Sequence, residues 1–95
     1  MNASGDSPEE SGILWREFYN EARGRLEAVG VEFAAVDARC IVEEASGAEP
    51  GEFALVLERP ALKRGVAHFD AMLERRLGGE PLQYVLGRWG FRTLD

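Results

Sequence analysis

The sequence predicts an all-α fold, a small four- to five-helix bundle followed by one C-terminal β-strand. Apolar residues recur every three or four positions over most of the chain, and glycine or proline separates the repeating segments. At the C-terminus, Trp89, Phe91 and Thr93 alternate with Gly90 and Arg92, which is the period of a strand. A compact domain does not normally end in an unpaired strand. We therefore interpret it as half of a truncated hairpin and the chain as the N-terminal piece of a longer protein.

The first helix has two candidate starts. Ser7, Pro8 and Glu10 fit a capping box with proline in the first turn. Gly12 weakens a helix by ~1 kcal/mol relative to alanine, which favours a later start at Ser11. Gly30 is the expected end. The predicted buried face consists of Trp15, Phe18, Ala22, Leu26 and Val29.

Four more helices are predicted, each bounded by a glycine or a proline. They cover residues 35–46, 50–57, 61–77 and 82–86. The fourth carries the clearest apolar stripe, Leu62, Val66, Phe69, Leu73 and Leu77. The predicted core of the bundle is Trp15, Phe18, Ile41, Phe53, Val66, Phe69 and Leu73.

Charge and composition exclude several classes of protein. Residues 1–50 carry 11 acids and 4 bases, and residues 51–95 carry 6 acids and 7 bases, so the dense basic face of a nucleic-acid binder is absent from the sequence. The N-terminus lacks the pattern of a signal peptide, and no apolar run approaches the ~20 residues that cross a bilayer. A lone cysteine, Cys40, permits no internal disulfide. We expect a cytoplasmic protein that binds neither nucleic acid nor membranes.

A local basic excess lies near the end of the fourth helix, at Arg75, Arg76, Arg88 and Arg92, with only Glu80 among them. Favourable interaction with the helix C-terminus accounts for Arg75 and Arg76, and contact with an acidic protein patch is the alternative. Next to them, Gln83 and Tyr84 lie on a helix too short to be stable alone, and tyrosine is common at interfaces. The candidate partner-binding residues are Arg75, Arg76, Gln83, Tyr84 and Arg88.

Groups that could perform catalysis are scarce. His68 lies beside the stripe of the fourth helix with no evident partner, so we interpret it as a solvated surface residue. Cys40 has no second thiol or histidine near it in the sequence, so we interpret it as a structural cysteine. We assign no catalytic, cofactor-binding or metal-binding residue to this chain.

Two segments carry a family resemblance. FDAMLERRLGGEPLQYVLGRWGF at 69–91 and DARCIVEEASGAEPGEF at 37–53 closely resemble the N-terminal domain of the HemK/PrmC methyltransferases. The GEPLQYVLG segment at 79–87 is the most specific part. Over about residues 14–94, the order of helices, glycines and aromatic strand is similar to that of the family.

The resemblance implies a substrate-recognition domain of an S-adenosylmethionine-dependent protein-(glutamine-N5) methyltransferase. It implies three segments: a flexible polar N-terminus at 1–11, a helical domain at 12–87, and at 88–95 the start of a linker hairpin to a catalytic domain. It also implies two partners, the chain's own catalytic domain and a peptide chain release factor, whose Gly-Gly-Gln glutamine is methylated. The alternative is a free-standing helical adaptor without enzymatic activity.

The 95-residue chain should neither bind S-adenosylmethionine nor transfer a methyl group. The sequence contains neither a glycine-rich turn after a strand nor the Asn-Pro-Pro-Tyr motif that the resemblance places in the catalytic domain. Isothermal titration with S-adenosylmethionine should show no specific heat. A saturable micromolar signal would contradict this prediction.

Overall fold

The computed structural model describes residues 10–49 and 51–87, which form five helices and two short strands packed around one core. In chain order the elements are β1 (Glu10–Leu14), α1 (Trp15–Ala28), α2 (Ala34–Ser46), α3 (Phe53–Val56), β2 (Pro60–Leu62), α4 (Lys63–Leu77) and α5 (Leu82–Leu86).

The prediction of a mainly helical fold is confirmed, and the helix ends follow the glycine signals closely. Gly47 and Gly87 lie at the C-caps of α2 and α5 with φ of 75° and 71°, values that residues with a Cβ adopt only under strain. The helix α5 spans Leu82–Leu86, as expected. The predicted C-terminal strand at 89–93, Pro50 and the cap at Ser7 lie outside the described residues.

The predicted start of the first helix is wrong. The segment Glu10–Leu14 is a strand, β1, which pairs antiparallel with β2, and α1 begins only at Trp15. Five residues of β1 lie opposite three of β2, and the extra length is absorbed at Gly12, whose φ is 79°. The Ser11 hydroxyl donates to the Ala61 carbonyl at 2.8 Å. Ser11 therefore serves the strand pair and does not cap a helix.

The backbone of a distant segment satisfies the first amides of α1. The Trp15 N–H donates to the Arg59 carbonyl at 2.9 Å, and the Arg16 N–H donates to the Leu57 carbonyl at 3.2 Å. The residue before the helix, Leu14, has no side-chain acceptor, so these carbonyls do the work of an N-cap. The carbonyls of Leu57 and Arg59 thereby fix where α1 begins.

An aromatic cluster forms the centre of the core. Phe69 of α4 lies 5.3 Å from Phe18 and 6.2 Å from Trp15 of α1, measured between ring centroids, with edge-to-face geometry. All three rings are buried, and Phe69 is 0% exposed. Around them lie other buried residues, among them Ala22, Leu26, Ala38, Ile41, Val42, Val56, Met72, Leu73 and Val85.

Some predicted core positions lie at its margin. Phe53 and Val66 are only partly buried, and Val29, at the C-cap of α1, is 58% exposed. The centre of the α4 stripe lies instead at Gly65, Phe69, Met72 and Leu73.

Gly65 explains this shift of the stripe. A Cβ on Gly65 would lie 3.1 Å from the Trp15 ring and 3.1 Å from the Ala45 carbonyl oxygen. The missing side chain lets α4 approach α2 and Trp15 closely on this side of the helix. An apolar periodicity that counts only large residues cannot register that approach.

Replacing Phe69 with alanine should strongly destabilise the fold. Truncation of a buried phenylalanine costs ~3–5 kcal/mol in the free energy of unfolding, which lowers the Tm of a domain of this size by at least ~10 °C. Thermal unfolding followed by circular dichroism would measure it. The matched control is Leu55→Ala at a side chain that is 59% exposed, expected to stay within ~0.5 kcal/mol of the parent. Equal melting of both variants would contradict the central place of Phe69.

Candidate partner-binding surface

Helix α4 ends in a Schellman motif that leads directly into α5. The Gly79 N–H donates to the Arg76 carbonyl at 3.1 Å, and the Glu80 N–H donates to the Arg75 carbonyl at 3.2 Å. Gly79 has φ of 102°, a conformation that disfavours residues with a Cβ. These glycines reverse the chain within a few residues, so the last turn of α4 and the short helix α5 lie side by side.

Arg75 binds both α5 and the link between α4 and α5, residues 78–81. Its Nε donates to Glu80 Oε1 at 2.9 Å, and its Nη2 donates to Glu80 Oε2. The same Nη2 also donates to the Tyr84 carbonyl at 3.2 Å. The hydrogen bonds that Arg75 donates to Glu80 hold the pKa of the Glu80 carboxyl below its usual value, and the same bonds raise the pKa of Arg75. Arg75 is exposed, yet its guanidinium is occupied by partners within the chain.

Arg76 points the other way, to α2. Its Nε donates to Asp37 Oδ2 at 2.9 Å, and its Nη1 donates to the Glu80 carbonyl at 3.3 Å. Asp37, in the first turn of α2, is 7% exposed and is the buried charged residue of the described core. In fully buried pairs, removal of one partner costs ~3–5 kcal/mol because the other charge stays unpaired. The Arg76 side chain keeps 21% of its surface exposed, so we expect loss of one partner here to cost toward the lower end of that range.

Within the described residues, the local basic excess predicted from the sequence is therefore neutralised by pairing inside the chain. Arg75 and Arg76 do lie in the last turn of α4, as expected, but they pair with Glu80 and with Asp37, which comes from a helix 39 residues earlier. Arg88 lies outside the described residues, so the contribution of its charge stays a sequence-based prediction.

What the surface offers to a partner is apolar and polar side chains more than charge. Gln83 is exposed, and Tyr84 is 52% exposed beside the peptide group that Arg75 holds. Two further apolar side chains, Phe33 at 63% and Val36 at 56% exposure, lie at the end of α2 that binds Arg76. The sequence analysis did not select these two residues. For Val36 a signal was available, because a valine that lies off the buried stripe of α2 is an exposed apolar side chain.

The described residues do not fit S-adenosylmethionine. Strand β1 passes into α1 through Leu14 and Trp15 with no glycine-rich loop between them, and carbonyls already occupy the first amides of α1. Within the same ranges no group of three or more metal-ligating side chains could hold a metal ion. His68 is exposed, as predicted, and Cys40 is half-buried. Nor does any helix described here have the length and hydropathy to span a bilayer.

Two surface hollows lie away from α5. The larger, about 640 Å³ and open to solvent, is lined by Gly12, Ile13, Leu14, Glu17, Phe18 and Glu21. A second of about 280 Å³ lies between Trp15, the end of α2 and the start of α4. Neither brings together groups of complementary reactivity.

The geometry defines a class of protein, a small bundle of five helices with one short pair of antiparallel strands. The comparisons with known proteins are more specific. Residues 17–87 match the PrmC N-terminal domain, and the chain belongs to that family.

The relatives of this chain extend well beyond this domain. The chain is 34% identical over all of its 95 residues to a release factor glutamine methyltransferase of Agrobacterium fabrum, of which it covers 31%. A protein of the same name from Bifidobacterium longum is 37% identical over 87% of this chain and 29% of its own length. The chain thus spans about a third of these relatives. No solved structure matches it.

The Glu80 carboxyl should titrate at a higher pH once Arg75 is replaced by glutamine, because the hydrogen bonds that lower its pKa are lost. Since the pKa is lowered in the folded state, the pair stabilises the fold above the unfolded-state pKa. That contribution disappears as the pH falls through the folded-state value. The ¹³C chemical shift of the Glu80 carboxyl, followed against pH, would give its titration midpoint in the parent and in the Arg75→Gln variant. Arg25→Gln, which breaks the surface pair with Glu74, is the control, and an unchanged Glu80 midpoint in Arg75→Gln would refute the assignment.

Proposed function

We propose that this chain is the substrate-recognition domain of an S-adenosylmethionine-dependent methyltransferase that modifies the Gly-Gly-Gln glutamine of peptide chain release factors in the cytoplasm. The observation that carries the proposal is membership of the PrmC N-terminal domain family, together with relatives named release factor glutamine methyltransferase. The described residues offer no place for the cofactor, so we assign the methyl transfer to a catalytic domain joined to this one.

A separate recognition domain suits such a reaction. The reacting amide belongs to one glutamine among many on a large protein, and binding remote parts of a substrate positions the reacting group. Contacts outside the catalytic site therefore decide which glutamine is modified. A rigid helical bundle with exposed aromatic and amide side chains can supply such contacts.

We assign the contact to the surface around α5, with Gln83 and Tyr84 at its centre. Phe33 and Val36 extend this surface at the end of α2 where Asp37 pairs with Arg76. Exposed aromatic residues and arginines are enriched among the residues that dominate binding energy. Arg75 and Arg76 take part through their exposed edges while they hold the surface together, and Arg88 adds a positive charge two residues after α5 in the sequence. The charges steer association, and the aromatic side chains provide most of the affinity.

Tyr84→Ala in the full-length enzyme should raise KM for an intact release factor about tenfold or more, since losing an interface aromatic costs ~2 kcal/mol. Methylation of a short Gly-Gly-Gln peptide should not change. The Arg75 contact is to the main-chain carbonyl of Tyr84, so it survives the substitution. Leu55→Ala removes a comparably exposed apolar side chain from α3 and should leave both substrates unaffected.

A binding experiment locates the contact independently. Addition of an unlabelled release factor to the ¹⁵N-labelled chain should shift the amide signals of α5 and of the first turn of α2. Shifts confined to the hollow around Gly12–Glu21 would instead place the contact on β1 and the first half of α1. No shifts at saturating release factor would remove this domain from substrate recognition.

A further inference from the structure

The two adjacent arginines at the end of α4 diverge, and each holds a different neighbour. Arg76 joins α2 to the link between the last two helices through Asp37 and the Glu80 carbonyl. Arg75 joins the same link to α5 through the Glu80 carboxylate and the Tyr84 carbonyl. Glu80 receives both arginines, one at its side chain and one at its backbone. We call Asp37, Arg75, Arg76 and Glu80 the arginine clamp.

The clamp acts on a helix that has few contacts of its own to fix its direction. Helix α5 has five residues, and isolated helices shorter than ~12–15 residues are marginal in water. In the core cluster it contributes one fully buried side chain, Val85 at 3% exposure, with Leu82 and Leu86 partly buried. These three side chains pack one face of α5 on the core. The hydrogen bonds at Glu80, before the helix, and at the Tyr84 carbonyl, in its middle, restrict its direction further.

The guanidinium shape matters here as much as the charge. Arg76 places two different nitrogens on two oxygens that belong to different elements, and Arg75 places its nitrogens on three. A planar fork holds such partners in fixed relative positions, whereas a lysine ammonium is one point charge on a flexible stem. Lysine could keep Asp37 neutralised without keeping the link and α5 in register.

We propose that Asp37, Arg75 and Arg76 are positioning residues that set the direction of α5, and through it the direction in which the chain continues after Gly87. This rests on the proposed function for its consequence. With a catalytic domain joined beyond α5, the clamp fixes how the recognition surface is oriented toward the site of methyl transfer. The arginines thus act on a large substrate through α5, in addition to any contact that they make themselves.

Three Arg→Lys variants of the 95-residue chain test the first part. Arg75→Lys and Arg76→Lys alter the clamp and keep every charge, so Asp37 is not left unpaired and the bundle stays folded. Arg25→Lys makes the same change at a surface pair that joins α1 to α4 through Glu74. Residual dipolar couplings of the backbone amides report the direction of each helix. We expect couplings of α1, α2 and α4 to fit one orientation in all three variants, and those of α5 to depart from it in the two clamp variants only.

Unchanged α5 couplings in Arg76→Lys would overturn the proposal, whatever this domain binds. Departure of α5 in Arg25→Lys as well would also overturn it, since the effect would then not belong to the clamp. Neither outcome bears on release factor binding, which the Tyr84 variant tests separately.

The full-length enzyme tests the second part. In Arg76→Lys, kcat/KM for an intact release factor should fall about tenfold or more, because small misplacements of a bound substrate are costly to rate. Methylation of the short Gly-Gly-Gln peptide should stay at the parental level, and Arg25→Lys should resemble the parent on both substrates. A parental ratio of protein to peptide methylation in Arg76→Lys would refute the link between α5 direction and substrate use.

Discussion

The contact of the Phe69 ring with the two rings of α1 is the interaction on which the rest of the structure depends. It joins the first long helix to the last long helix, with Trp15 and Phe18 on one side and α4 on the other. Gly65, one turn before Phe69, lets α4 approach the backbone of α2 and the Trp15 ring closely. With α1 and α4 held in this way, α2 packs against both, and Asp37 is brought within reach of Arg76.

The polar link between α2 and α4 depends on that packing and adds something different to it. Apolar burial is non-directional, so burial alone tolerates some sliding of one helix on another. An ion pair with a hydrogen bond of 2.9 Å does not. The pair contributes specificity of arrangement at the place where the bundle meets α5, and it costs desolvation of two charges. Under the proposed function, defined geometry at this surface matters more than additional stability.

The sequence was sufficient to locate the helices, but it was insufficient for the start of α1 and for the contacts between distant residues. Periodic apolar residues and helix-ending glycines located α1, α2, α4 and α5, because both signals are local. Strand β2 has three residues, which is too few to show a strand period, so neither it nor its partner β1 was predicted. The partners of the arginines depend on tertiary packing. Hence the sequence could select as candidates Arg75, Arg76, Gln83 and Tyr84. It could not show that Asp37 and the exposed Phe33 and Val36 lie at the same surface.

The backbone contacts at the start of α1 have a consequence for the order in which the domain folds. The amides of Trp15 and Arg16 find their acceptors at residues 57–59, and the Ser11 hydroxyl finds its acceptor 50 residues away. The first turn of α1 therefore cannot be completed until a loop containing α2 and α3 has closed, which carries the entropy cost of a long closure. Local helical segments form early and long-range pairings late. Among the described residues, the segment from Ser11 to Arg16 is accordingly expected to acquire its native contacts last.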